Sequence, residues 1–175
     1  QQYLTRTMTE PGNTSWTWSA WIKLSQNSDT QIFNTANAGA YGTTGILWGV
    51  DGRFAAYVNG NAAGTGNTGV FTDPSAWYHV VWNMSPEQGV WKMYINGVLG
   101  DNPGYTTNDV SFLTTARMMT FGGGGGGVGA DASMYIANCY LVDGQNTMPD
   151  NFGKYDDNGV WVPRDDEEID QLIGG

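Results

Sequence analysis

Residues 77–98, WYHVVWNMSPEQGVWKMYINGV, decide how this chain is read. Residues 77–84 and 90–95 are dense in aromatic and β-branched side chains, which suit the pleated, half-buried surface of a strand. Between them, residues 85–89 form a turn cluster containing Pro86. After them, Asn96-Gly97 predicts a two-residue hairpin, because a type I′ turn needs two successive residues at positive φ and this dipeptide tolerates them best. Two strands and two turns this close together predict an antiparallel sheet.

The same rhythm runs outward through most of the chain, as short alternating segments separated by Gly, Asn, Asp and Pro. Strands are expected at 3–7, 15–24, 31–35, 46–50, 53–58, 117–121 and 133–142. In the second of these Trp16, Trp18, Ala20, Ile22 and Leu24 share one face, and Thr17, Ser19, Trp21 and Lys23 the other. Asp51-Gly52 predicts a second type I′ hairpin. Residues 59–69 form a loop of small residues, and residues 122–127 are six consecutive glycines. Residues 148–162 read as a segment that packs Phe152, Tyr155 and Trp161 onto the sandwich. The remaining RDDEEIDQLIGG is acidic and reads as a short helix or a disordered tail. No long segment has helical period and no internal repeat is present, so the expected fold is an all-β, two-sheet antiparallel jelly-roll sandwich.

A chain of 175 residues suits one domain, long enough to bury roughly two-thirds of the surface that its unfolded form exposes. The 17 acidic against seven basic residues give a net charge of -10, which opposes binding to nucleic acid and to anionic membranes. No stretch approaches the ~20 apolar residues of a membrane span. One cysteine, Cys139, excludes an internal disulfide; alternation places it with Tyr135, Ala137 and Leu141, where a buried thiol is expected.

Within residues 77–98 the order W-x-H-V, turn, Y-[IV]-[ND]-G resembles the central hairpin of laminin-G-like, concanavalin A-like jelly rolls. YLTRT at 3–7 followed by SWTWSAWIKLS at 15–25 resembles the opening strands of the laminin-G-like domain in virion-surface and tail-fibre proteins of tailed phages. DPSAWYHVVWNM, YINGV, MYIANCYLVDGQ and FGKYDDNGVWVP are similar to successive landmarks of that subgroup, in the same order. The chain departs from it by lacking a strand before YLTRT and by ending in RDDEEIDQLIGG. The resemblance implies a sandwich over 1–163 with an acidic tail at 164–175. It also implies an extracellular, virion-surface, non-enzymatic role as capsid decoration or tail-fibre adhesion module. The expected partners are a host-surface carbohydrate or neighbouring virion subunits, with no nucleic acid, no membrane insertion, and a homo-oligomeric or symmetric array. A purely structural virion protein is the first alternative.

A glycoside hydrolase of the β-glucanase type is the second alternative, because such sandwiches carry E-[IL]-D-x-x-E on one strand, which sets two carboxylates ~5 Å apart. Glu168-Ile169-Asp170 begins that pattern but lacks the second Glu. A hydrolytic triad would have to use His79, the only histidine, which the resemblance implies is structural. Sugar recognition needs an aromatic face and polar groups beside it. Trp16, Trp18, Trp77 and Trp82 are read as core, which leaves Trp48, Trp91 and Tyr105 as candidate platforms. Asn61, Asn67 and Asp131 are the candidate hydroxyl partners. No cofactor is required; calcium is the ion this fold admits, with Asp131 and Asp109 as its candidate ligands and Asp73 and Asp101 behind them.

Overall fold

The structure, a computed structural model, describes residues 4–7, 15–25, 30–36, 44–49, 51–58, 61–62, 69–85, 90–100, 118–121 and 133–174. The strands are β1 (Leu4–Thr7), β2 (Trp16–Leu24), β3 (Thr30–Ala36), β4 (Thr44–Trp48), β5 (Phe54–Val58), β6 (Asn61–Ala62), β7 (Tyr78–Ser85), β8 (Val90–Ile95), β9 (Val98–Leu99), β10 (Met118–Phe121) and β11 (Met134–Asp143). They pair antiparallel into a first sheet, β1-β10-β3-β4-β5-β6, and a second, β11-β2-β7-β8-β9. A small hairpin, β12 (Gly153–Tyr155) with β13 (Trp161–Pro163), and a helix, α1 (Asp166–Ile173), follow.

The two sheets bury the residues that alternation assigns inward. Trp16, Trp18, Ala20, Ile22 and Leu24 of β2 meet Phe33, Ile46, Trp48, Phe54 and Ala56 of the first sheet, with Val80, Trp82, Met84, Met93 and Ile95 alongside. Trp18 stacks on Phe33 with ring centroids 5.2 Å apart, and Trp16 meets Trp82 edge-on at 5.0 Å. Each such side chain contributes about 1.5–3 kcal/mol by leaving water.

Both predicted hairpins form, but by different turns. Asn96 and Gly97 have φ of 50° and 77°, so Ile95 pairs directly with Val98 through a type I′ turn. At the other, Gly52 has φ 74° and donates to Gly49 O. Asp51 is not among the described residues at positive φ, so this is a longer turn closed by one left-handed glycine and not type I′. Because Gly49 bonds Arg53 across that turn, β4 ends at Trp48, two residues before the expected end.

Strand β11 corrects the expectation for Cys139. The β2–β11 register slips between Ala137 and Tyr140, with Asn138 at φ 47°, which is a β-bulge. Met134 and Ile136 before it, and Leu141 after it, pack against the main core, whereas Tyr140 and Val142 face the other way. Cys139 falls inside this reversal and is exposed. Trp77, read as core, precedes β7 and is 41% exposed.

The outer face of the second sheet is also covered. Thr17, Ser19, Trp21, His79, Val81, Asn83 and Tyr94 are all buried, although antiparallel sheets commonly leave one face to water. Phe152 and Ile169, each 1% exposed, close over Val81 and Tyr94. The helix that supplies Ile169 starts in a capping box formed by Asp165 and Glu168, with Asp166 and Glu167 suited to the positive end of the helix dipole. Gly174 ends it, donating to Asp170 O. Thr147 N–H donates to Thr17 Oγ1 at 2.7 Å, and Thr17 donates in turn to Gln145 O. The C-terminal segment therefore makes a third layer.

Candidate functional site

His79 sits at the centre of this third layer, fully buried on β7 beside Ser19 of β2. Its Nε2 lies 2.9 Å from Ser19 Oγ, which looks like the start of a nucleophile and base pair. The other ring nitrogen decides the matter. Trp161 Nε1–H donates to His79 Nδ1 at 3.0 Å, and an indole is a donor only. Nδ1 is therefore the acceptor of the neutral ring, and the ring proton is on Nε2, directed at Ser19. No lone pair remains to take the serine proton, as a general base must. Burial pushes the imidazole pKa down to about 3, so the ring stays neutral at ordinary pH. Trp21 stacks on it with centroids 4.9 Å apart, and its backbone exchanges hydrogen bonds with Asn96 at the turn. The geometry makes His79 a rivet between the sheet and Trp161.

Trp161 carries that rivet to the surface. The indole lies so close over Gly97 and Gly153 that a Cβ on either would come within 3.0 Å of the ring. On the same face of the hairpin, Tyr155 is the cross-strand partner of Trp161, with ring centroids 4.9 Å apart and nearly perpendicular planes. Tyr155 is 59% exposed, not packed down as expected for residues 148–162, because Trp161 already fills the space beneath. The connecting turn is closed by hydrogen bonds. Asp156 Oδ1 accepts from Asn158 N–H at 2.9 Å and Val160 N–H at 2.8 Å, and Gly159 takes φ 77°. The Val160 amide above all holds the Asp156 carboxyl below its usual range. Asp157 and Asn158 are exposed beside it. An open phenol ring braced by an indole, next to carboxylate and amide groups, has the chemistry of a sugar platform.

The residues named from sequence fare differently. Trp48 is fully buried between the sheets against Phe54, so no sugar ring can stack on it. Trp91 and Asn61 have backbones in β8 and β6, and their side chains lie outside the described residues. Tyr105, Asn67, Asp131 and Asp109 also lie outside the described residues, as does Asp101. Asp73 uses its carboxylate on Ser75, whose hydroxyl and amide both donate to Oδ1. Among the described residues no group of three or more His, Cys, Asp or Glu is placed to hold a metal; the calcium candidates Asp131 and Asp109 are not among those residues. No described helix is long and apolar enough to cross a membrane.

Glu168 and Asp170 stand on α1 and not on a strand. Lys154 Nζ bonds both Glu168 oxygens at 3.0 and 2.9 Å, and Arg164 approaches to 3.5 Å. Lys154 foremost lowers the Glu168 pKa. The paired-carboxylate geometry of a β-glucanase strand is not formed there.

Comparison with known proteins extends these findings. No curated protein matches the chain. Among solved structures, the heptameric SAP-like pentraxin of Limulus polyphemus is similar, with TM-score 0.58 and 18% identity over 79% of this chain and 68% of that one. The sialidase of Trypanosoma rangeli is similar with TM-score 0.55 and 17% identity over 73% of this chain. The same sialidase in complex with sialic acid gives 0.56 and 16% over 73%. The chain spans only 20% of the sialidase length. These identities establish the fold alone and transfer no residue. They do overturn the expectation of a non-enzymatic chain, since the sandwich also occurs within enzymes. The family model described as concanavalin A-like lectin/glucanases superfamily matches residues 1–141, the stretch that builds both sheets as far as Leu141. Its lectin-like sandwich is the one found here, and the chain belongs to that superfamily.

Proposed function

We propose that this chain is a carbohydrate-binding domain whose contact point is the Tyr155 corner of the β12–β13 hairpin. The observation that carries the reading is Tyr155 itself, 59% exposed and backed edge-on by Trp161. An aromatic ring left mostly in water and backed by a hydrogen-bonded indole offers a flat apolar face on which a sugar ring can stack. The lectin-like fold and the polar turn at Asp156, Asp157 and Asn158 support the same reading.

The domain acts on a virion surface, as capsid decoration or tail-fibre module, and meets a host glycan there. The similarity of residues 3–7, 73–84, 94–98, 134–145 and 152–163 to phage virion landmarks supports this setting. Weak single sites suit a symmetric array, in which effective concentration supplies avidity. A structural virion role draws support from β11, a ten-residue strand whose only charge is the terminal Asp143. No described strand pairs with its outer edge, and such edges are normally covered.

A glycan array probed with the wild-type chain, Tyr155→Phe and Tyr155→Ala tests the reading. Reproducible hits are expected that survive in Phe and disappear in Ala. No hit at millimolar chain, or hits indifferent to Ala, would return the domain to the structural reading.

A further inference from the structure

We infer that the Tyr155 corner selects neutral glycans and turns away sugars bearing a carboxylate or sulfate; this rests on the reading of that corner as a sugar platform. An acidic sugar needs a cation or a set of open N–H donors, and a charge-assisted bond to Arg or Lys is the usual means. Among the described residues, two cations flank Tyr155 in sequence, on the hairpin and just beyond it, and both are engaged. Lys154, next to Tyr155 in sequence, spends its ammonium on the two Glu168 oxygens. Arg164 donates Nε–H to Asp150 O and approaches Glu168 with its other arm.

Three backbone donors of the turn are engaged as well. Asn158 N–H and Val160 N–H both point at Asp156 Oδ1, and Gly159 N–H at Asp156 O. What the turn presents outward is acceptor-rich, with Asp156 and Asp157 in succession. In the first turn of α1, Glu167 is exposed as well, and the whole chain carries -10. Hydroxyl groups are donors and satisfy such a surface, whereas a second carboxylate brought against it gains no partner and meets like charge. The sialidase seen in complex with sialic acid shares the sandwich, but the corner lies beyond residue 141, where the family match ends.

The test is direct titration of the full chain with matched ligands: one oligosaccharide in asialo and sialylated forms, and a neutral glucan beside the corresponding polyuronate. The neutral member of each pair is expected to bind about tenfold or more tightly, the scale of one unfavourable charge contact. Raising salt from about 0.05 to 0.5 M, which shortens the screening length severalfold, should narrow that ratio. The exposed substitution Asp157→Lys should narrow it further. Equal or tighter binding of the acidic member, lost on Tyr155→Ala, would overturn the selectivity and leave the platform standing. Failure of both members to bind, or binding unaffected by Tyr155→Ala, would overturn the platform itself.

Discussion

The two faces of the β2–β7 pair are made from alternate residues of the same strands and have opposite chemistry. The inner face carries Trp16, Trp18, Ile22, Val80, Trp82 and Met84, all apolar and buried against the first sheet. The outer face carries Thr17, Ser19, His79 and Asn83 among Trp21 and Val81 and is buried as completely. Apolar burial is non-directional and tolerates many neighbours. Burial of hydroxyl, amide and imidazole groups needs specific partners, since an orphaned polar group costs about 1–3 kcal/mol. Residues 145–173 supply partners to Thr17 and His79, Ser19 bonds His79 within the sheet, and Asn83 Oδ1 is left without a partner, so the outer face relies on one segment where the inner face relies on a whole sheet.

Removing that segment is the most severe way to break the comparison. A chain ending at residue 144 would expose Trp21, Val81 and Tyr94 and leave His79 and Thr17 without their C-terminal partners. It is expected to lose cooperative unfolding altogether. A sharp thermal transition in the truncated chain, followed by circular dichroism, would show the outer face to be self-sufficient. Phe152→Ala is next, with about 3–5 kcal/mol of destabilisation expected for a fully buried aromatic. Denaturant titration measures it, and a cost under about 1 kcal/mol would mean that the third layer packs loosely.

Acid sharpens the difference between the faces, because only the outer one holds a histidine. The folded pKa of about 3 lies below the reference of 6.5, so the unfolded chain binds the proton first. The neutral ring's contribution is fully present above about pH 6.5 and is lost as pH falls toward 3, with about 2 kcal/mol gone by pH 5. His79→Gln should flatten the slope of stability between pH 7 and 5; an unchanged slope would place its origin elsewhere. The smallest effect belongs to Tyr155→Ala, expected within about 0.5 kcal/mol of wild type because the ring is mostly in water. A larger loss in the same titration would mean that Tyr155 supports Trp161 and is not held out for a ligand.

Alternation and turn chemistry made much of the architecture legible. The β7–β8 pairing, the Asn96-Gly97 turn and the inward set of β2 follow from local pattern, and the family match agrees with the sandwich that they imply. Pattern misled where one residue shifts the period or the layer. Asn138 in the left-handed region reverses the faces of β11 and puts Cys139 outside. Trp48 and Tyr155 show the same failure from opposite sides. An indole in a short strand gives no local sign that both of its faces will be covered. A tyrosine in a C-terminal hairpin gives none that the adjacent Trp161 will take the buried place.

By itself the sequence determined a two-sheet antiparallel sandwich, its hairpin positions and its inner core, because those depend on the period-two alternation of side chains and on residues that tolerate positive φ. Only the tertiary structure decided the third layer, the tautomer of His79 and the exposure of Tyr155. The first two depend on contacts between residues about 60 or more positions apart, such as Ser19 with His79 and His79 with Trp161, and the third follows from where Trp161 docks. No local pattern encodes which distant donor will reach a given acceptor; the packing of the C-terminal segment against β2 and β7 does.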